Sequence, residues 1–591
     1  MAADSGTDLY APFTSDTILE VRSGKMKKYK GLNIESGIDK SLLHGPVHVG
    51  KLGIDGDEHD CTFHGGPDKA VHGYCCSHYP TWQAEFPTAA TRFVPGGFGE
   101  NLVTRHMNER NVCIGDIMAV GGGGGGAGGS TTNNKEDSSE EEGPLLLQVS
   151  LPRQPCFKLN HRFELRNFAP NTWRLSRTGW YYRVLREGPV AAGDKIRLVE
   201  RPHPRWTIER VQEYLHRNTG DLAANEELAA IPEFGKESHD AFASRAAKLK
   251  AKARRDEGKG DEEDEGDDPA QWRDFRIVEK KQQTPRITSL VLEAVEPLAD
   301  PGELDEGAHA KLRIPVPGRD NNSAAPLVRA YSVVGGDRNR LEFGIALEPD
   351  SRGASRHLHS AAAAVGDVLQ VGRVTGMRLV TSCSSHVFVA GGVGVTAFLA
   401  LLEALRKYNF DARLYYAVRS ARDVPFADRI RDLGGDVVTV YDASKGERLS
   451  IPHVIKTMPW NSRLYFCGPR RMMDEAARET RAAGIDPAEV HFEAFQPEAV
   501  GGDPFEAVVA NKGGAEVSVG ADESLLEALQ AKFGADQIPS SCEVGNCGTC
   551  VVKLRAGRAL HRGSALGGED KAAGSMLSCV SRGVGRITVE I

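Results

Sequence analysis

Four cysteines constrain this 591-residue chain more than any other feature. Cys542, Cys547 and Cys550 stand in SSCEVGNCGTC, and Cys579 follows in MLSCV, giving C-x4-C-x2-C and a distant fourth position. The spacing fits a [2Fe–2S] cluster, in which four thiolates hold two irons and two sulfides. A tight loop of small residues is needed there, so that backbone N–H groups face the sulfurs and tune the potential. Gly545 and Gly548 meet that need. Zinc is the rival reading, but zinc sites favour paired C-x2-C units. The chain has 11 cysteines, an odd number, and its N-terminus shows neither a basic region nor an apolar run. Disulfide stapling is therefore not expected, and the cytoplasm is the expected compartment. Cys61, Cys75, Cys76, Cys113 and Cys383 fall in no motif and read as core residues.

A chain of this length needs several cores. Its net charge of −8 argues against a nucleic-acid binder. The apolar stretch Val387–Leu402 is short for a membrane span and is interrupted by Gly391, Gly392 and Gly394, so it reads as strand, turn and helix. Two segments lack the apolar content to fold. Residues 121–143 are Gly-rich and then Ser/Glu-rich, a loop insertion between strand-like runs, and residues 254–271 are an acidic linker. Between Phe275 and Gly372, runs such as ITSLVLEAV, RAYSVVG and RLEFGIAL are separated by Gly/Asp turns, a β-barrel-like pattern. From His386 the pattern changes to alternating strand and helix (HVFVAGG, TAFLALLEALRKY, ARLYYAV, DVVTVY, RLYFCG), which predicts a parallel α/β sheet.

Further motifs sit at fixed places in this order. Arg329-Ala330-Tyr331-Ser332 lies in a barrel strand, and Arg352-Gly353-Ala354-Ser355 follows it. Gly391-Gly392-Val393-Gly394-Val395-Thr396 links a strand to a helix, a place where bare backbone can approach a pyrophosphate. Cys467-Gly468-Pro469 closes another strand, and HFEAF carries Glu493 and Phe495. Residues from Trp272 to the end resemble the phthalate dioxygenase reductase family. The resemblance implies a flavin-binding β-barrel (272–382), an NAD-binding α/β domain (384–497) and a β-grasp-like ferredoxin domain (503–591). It implies that Arg329, Tyr331 and Ser332 hold the flavin, and that Arg352, Gly353 and Ser355 hold the phosphate of FMN. Glu348 departs from the family's basic residue and leaves FAD as the alternative. Gly391, Gly392, Gly394, Thr396, Gly468, Pro469 and Phe495 would bind the nicotinamide, with Cys467 near its reactive carbon. NADH is implied, while Arg419 and Arg422 keep NADPH open.

Four segments at the front stand in a specific order: HGGPDKAVHGY, GGFGENL, VCIGD and LPRQPCFKLNHR. They resemble the MOSC domains of bacterial proteins that reduce hydroxylaminopurines, over residues 18–202, with a three-helix domain at 205–252. The resemblance implies that Cys156 ligates the molybdenum of a pterin cofactor, as a soft thiolate would. Arg153, Lys158 and Arg162 would face its anionic parts. His64, Gly65, Gly66 and Lys69 would form a nest, and Glu100 and Asn101 would orient pterin or substrate.

The expected fold is thus multidomain, mixed α+β and α/β. The expected activity is a self-contained electron chain from NAD(P)H through flavin and [2Fe–2S] to molybdenum, reducing small N-hydroxylated compounds in detoxification. Two alternatives stay open. One is a reductase component for a separate oxygenase, with an external redox partner protein. The other is a sulfur-carrier or cofactor-handling role for the MOSC domain. Neither a nucleic-acid nor a membrane partner is expected.

Overall fold

The structure is a computed structural model. It describes residues 8–60, 65–121, 143–256, 272–302, 304–305, 307–315, 327–347, 353–376, 382–493, 495, 501–534, 537–540, 543–545, 548–563, 565–566 and 568–591. The insertion at 122–142, the linker at 257–271, and His64, Cys61, Glu348, Arg352, Cys542 and Cys547 lie outside the described residues. The chain forms two compact units. One comprises Met1–Asp264 with Thr381–Ser384, the other Glu265–Val380 with Ser385–Ile591.

In the first unit the described residues form an eight-stranded sheet. Its order is Lys195–Glu200, Ile117–Val120, Leu145–Pro152, Trp180–Arg186, Val71–Cys75, Leu102–Thr104, Ser15–Ser23 and Ser41–Leu42. Strand Ser15–Ser23 also pairs with Lys195–Glu200, Ser15 opposite Arg197, which closes seven of the eight strands into a ring and leaves Ser41–Leu42 outside it. Closure removes the unpaired edges that an open sheet would expose. The pattern of Leu145–Pro152 shows why the strands face as they do: Leu145, Leu147 and Val149 are buried, while Leu146 and Gln148 are half-buried. Helices Ile208–Gln212, Leu222–Ala229 and Lys236–Asp256 follow. Thr207 caps the first by accepting from Arg210 N, and Asp221 caps the second by accepting from Ala224 N. Ile208, Val211, Leu228 and Phe242 are buried in one continuous core with the strand residues Ile18, Val149 and Trp180. The helical stretch is therefore bound into the core of the sheet.

The second unit begins with a closed antiparallel barrel in the order Arg273–Thr284, Ile287–Ala294, Arg340–Ala346, Leu327–Asp337, His309–Ile314 and Val368–Thr375. The strand His309–Ile314 was not among the runs legible in the sequence. It follows an Asp/Pro/Gly/Glu-rich stretch that obscures its alternation, and without it the ring would not close. A parallel sheet comes next, in the order Val438–Asp442, Ala412–Val418, Ser385–Gly391, Ser462–Cys467 and Val490–Phe492. The strand order reverses between Ser385–Gly391 and Ser462–Cys467. In open α/β sheets such a reversal leaves a crevice at the carboxyl ends of the strands. The last sheet, Ala515–Val519, Phe505–Val509, Arg582–Glu590, Val551–Leu560 and Ser575–Leu577, packs on helix Leu525–Phe533. That helix starts in a capping box: Ser524 Oγ accepts from Glu527 N while Glu527 Oε2 accepts from Ser524 N. Among the described residues no helix is long and apolar enough to cross a membrane.

Candidate functional site

In the second unit a cavity of about 2150 Å³ runs past all three folds. Arg329, Tyr331, Ser332 and Ser355 line it from the barrel, Gly391, Gly392, Gly394, Thr396, Gly468, Pro469 and Phe495 from the parallel sheet, and Cys579 from the last domain. The two glycine-bearing turns leave from the strands that flank the reversal in strand order. Bare backbone is a requirement there. A Cβ on Gly394 would stand 2.2 Å from the carbonyl oxygen of Cys467, and one on Gly391 would stand 2.6 Å from Pro469 Cδ. Gly392 has φ +57 and open space beyond it, so the cradle faces the cavity uncovered. Gly394→Ala is expected to lower the rate of flavin reduction by NADH about tenfold or more, because the two turns must separate and reacting atoms tolerate little displacement. Stopped-flow absorbance with NADH, compared with dithionite on the same protein, measures it.

Cys467 lies beneath Gly394 and is 1% exposed. Burial, reinforced by Glu493, pushes its thiol well above the ordinary range, so it stays protonated and neutral at physiological pH. Ser332 Oγ, at the end of the Arg-Ala-Tyr-Ser run, donates to Glu493 Oε1 at 3.4 Å and ties barrel to sheet. Burial pushes the Tyr331 phenol up to about 12, leaving it a neutral ring and hydroxyl. Arg329 Nη1 donates to Val328 O at 2.6 Å, and Gly353, with φ +117, precedes helix Ala354–His359. Arg419 lines the same cavity.

Of the four motif cysteines, Cys550 and Cys579 are described. Both are buried, and their sulfurs are 3.1 Å apart. The approach is held by strand pairing of Val551 with Leu577 and by Ser578 Oγ donating to Cys550 O at 2.8 Å. Gly545 and Gly548 take φ +84 and +78, and a Cβ on Gly545 would stand 2.9 Å from Gly563 Cα. Two buried thiols converging beside left-handed glycines suit a soft metal cluster.

In the first unit Cys156 precedes helix Phe157–Phe163 and is partly exposed. Arg153, three residues earlier, is 3% exposed; its Nη2 donates to Phe98 O at 3.4 Å, while Nε and Nη1 make no well-aligned hydrogen bond among the described residues, although the Tyr181 hydroxyl interacts with the guanidinium. Burying guanidinium donors without acceptors is costly. His72 is buried, and desolvation together with Arg153 holds its imidazole down at about 3, neutral at physiological pH. The other cations have protein partners. Lys158 Nζ is 3.2 Å from Asp60, Arg162 Nε is 2.8 Å from Asp39, and Lys69 is paired with Glu237. Gly66, with φ +92, opens the turn Pro67–Lys69 after Gly65. Glu100 is fully buried and accepts from Tyr79 Oη, Gly96 N and Phe98 N, which fixes the loop under Arg153. Asn101 accepts from His72 N and donates to Asp57, which pairs with the buried Lys40. Sequence reasoning missed Tyr29 and Tyr181, which interact electrostatically with Cys156 from distant segments. Burial pushes both phenols up, that of Tyr181 to about 12. No motif marks either tyrosine.

Three parts of the chain match known domain families. Residues 60–197 match the MOSC domain, residues 375–490 the dimethylamine monooxygenase subunit DmmA-like N-terminal domain, and residues 508–583 the 2Fe-2S iron-sulfur cluster binding domain. A "Reductase" of Gibberella moniliformis is 32% identical over 97% of this chain and 95% of its own length. Protein YiiM of Escherichia coli is 35% identical over 31% of this chain and 72% of its own length. The solved structure of phthalate dioxygenase reductase is 26% identical, with a TM-score of 0.42, over 54% of this chain and 98% of that one.

Proposed function

The chain belongs to a family of fused reductases that carry a MOSC domain ahead of a phthalate dioxygenase reductase-like flavin, nicotinamide and [2Fe–2S] module, and from that premise we propose that its electrons are delivered to a molybdenum cofactor at Cys156 to reduce N-hydroxylated compounds. The observation that carries this reading is the buried Arg153, with two donors that make no well-aligned hydrogen bond among the described residues, three residues from a partly exposed thiol. A phosphate-bearing pterin offers anionic acceptors, and a thiolate suits the metal. Cys156 would ligate the molybdenum and Arg153 would pair with the pterin's phosphate.

When bound, the molybdenum cofactor supplies two-electron oxygen-atom chemistry, and the flavin joins two-electron donors to one-electron acceptors. The net reaction consumes two electrons and two protons for each N–OH group, giving N–H and water. The chain's own residues set up the rest. Gly391–Thr396 with Gly468 and Pro469 would hold NADH, and Arg329, Tyr331, Ser332 and Ser355 would hold FMN. Neutral Cys467 presents a small uncharged surface beneath the nicotinamide turn. Neutral His72 keeps the pocket free of a second positive charge beside Arg153, and the hydroxyls of Tyr29 and Tyr181 hold their protons at physiological pH.

A second reading, a reductase component for a separate oxygenase, is favoured by the match of residues 375–490 to a domain named for a monooxygenase subunit. One experiment separates the two. Protein made with molybdopterin available is analysed for metal and assayed for NADH-driven reduction of benzamidoxime. Bound molybdenum and benzamidine formation are expected. Iron and flavin without molybdenum, with undiminished transfer to an external ferredoxin-dependent oxygenase, would establish the second reading instead.

A further inference from the structure

We propose that Lys311 is a positioning residue for electron passage, clamping the loop that carries the iron–sulfur cysteines onto the flavin barrel. Lys311 stands on strand His309–Ile314, opposite Ala330 on strand Leu327–Asp337, next to the register pairs that hold Tyr331 and Ser332. Its ammonium uses three contacts on one segment of the last domain: Ser540 O at 3.1 Å, Ser540 Oγ at 3.0 Å and Glu543 Oε1 at 2.8 Å. A lysine has three donors, so none is left over. Ser540 Oγ also donates to Glu543 Oε1 at 3.2 Å and accepts from Gln530 Nε2 at 3.1 Å, which ties the segment back to helix Leu525–Phe533.

Glu543 follows the first cluster cysteine of the motif directly, and its backbone has φ +58, a conformation that a side-chain-bearing residue seldom adopts without outside support. The Lys311 side chain is 17% exposed and that of Glu543 40%, so the pair is partly sheltered and its charge-assisted bonds are screened less than a surface pair would be. Lys311, Glu543, Val544 and Cys579 all line the cavity that Tyr331 and Ser332 face. The clamp thus spans the boundary that an electron must cross between flavin site and cluster site. No bond is made or broken in that step: the flavin loses one electron and one ferric iron of the cluster becomes ferrous. The rate then depends on separation and packing across the boundary, which Lys311 fixes without touching the reacting atoms.

The test uses the full-length protein carrying flavin and cluster. Lys311→Met is expected to slow the flavin-to-cluster step, followed by stopped-flow absorbance and by cytochrome c reduction, roughly tenfold. Reduction of ferricyanide, taken directly from the flavin, should stay at the wild-type rate. Flavin content, iron content and the electron paramagnetic resonance spectrum of the reduced cluster should also be unchanged. Hydrogen exchange at the amides of residues 538–545 should rise in Lys311→Met, an effect visible without turnover. The conservative variant Lys311→Arg, which keeps the positive charge and the donors for Ser540 and Glu543, should retain most of the wild-type rate. A wild-type flavin-to-cluster rate in Lys311→Met would overturn the proposal. So would parallel loss of iron and of both activities, or a Lys311→Arg variant as slow as Lys311→Met.

Discussion

Cys156→Ala is expected to abolish N-reduction while leaving the rear half of the electron chain intact. The thiolate is the one proposed protein ligand to the molybdenum, and even outer partners of a metal site are worth 10–100-fold, so a drop of about 100-fold or more is expected for the ligand itself. The structural cost should be small. Cys156 is partly exposed, with an extended backbone at the start of helix Phe157–Phe163, where alanine fits without strain. In cofactor-free protein the thermal unfolding temperature of the front half should therefore barely move. Three measurements on one preparation decide the matter: molybdenum per chain, NADH-driven benzamidine formation, and NADH–cytochrome c reduction. The first two should collapse and the third should persist. Equal benzamidine formation by variant and wild type would remove Cys156 from the chemistry. A persulfide on wild-type Cys156 by mass spectrometry, with no N–OH turnover, would point to sulfur handling.

Cys550→Ser is expected to have a comparably large effect at the other end of the chain. A serine oxygen is a harder and far less acidic ligand than a thiol, so the cluster should be lost or held weakly. Cys550 is 4% exposed and belongs to the same core as Leu529, Met576 and Leu577. Its sulfur lies 3.1 Å from that of Cys579, so loss of the cluster leaves a vacancy inside a core and not at a surface. Metal binding is folding energy in small metal-dependent domains, and a destabilisation of at least several kcal/mol is expected for this one. Visible absorbance and electron paramagnetic resonance should show no [2Fe–2S] signal, and calorimetry should show an early transition for the C-terminal domain. Ferricyanide reduction should survive, whereas cytochrome c reduction and N-reduction should both stop. Retention of a normal cluster signal would mean that Cys550 is not a ligand.

Features set by short-range periodicity were legible in the sequence. The parallel sheet announced itself because apolar strands such as HVFVAGG alternate with helix-period runs. The cluster loop did so because its cysteines lie within nine positions of one another, Cys542 to Cys550. What escaped was long-range. Tyr29 and Tyr181 approach Cys156 from segments more than a hundred and about twenty-five positions away, and nothing local marks either as part of a site. Arg153, Lys158 and Arg162 looked alike as neighbouring cations. Only the fold distinguishes them, by giving Asp60 and Asp39 to the latter two and leaving two donors of Arg153 without a well-aligned hydrogen bond among the described residues. Strand His309–Ile314 was hidden for a related reason: its register comes from two partner strands, and only the folded ring reveals it. Lys311 lies in that strand, so its link to Glu543, 232 positions away, was hidden too.

The helices after residue 205 have a practical implication for anyone who divides this protein. Ile208, Val211, Leu228 and Phe242 sit among the same buried side chains as the closed sheet, so melting the helical stretch and melting the sheet should be one cooperative event. A front fragment ended at Pro202 would present that apolar face to water and should aggregate. One carried through Asp256 should stay in solution and unfold in a single step, which calorimetry on the two fragments would read directly.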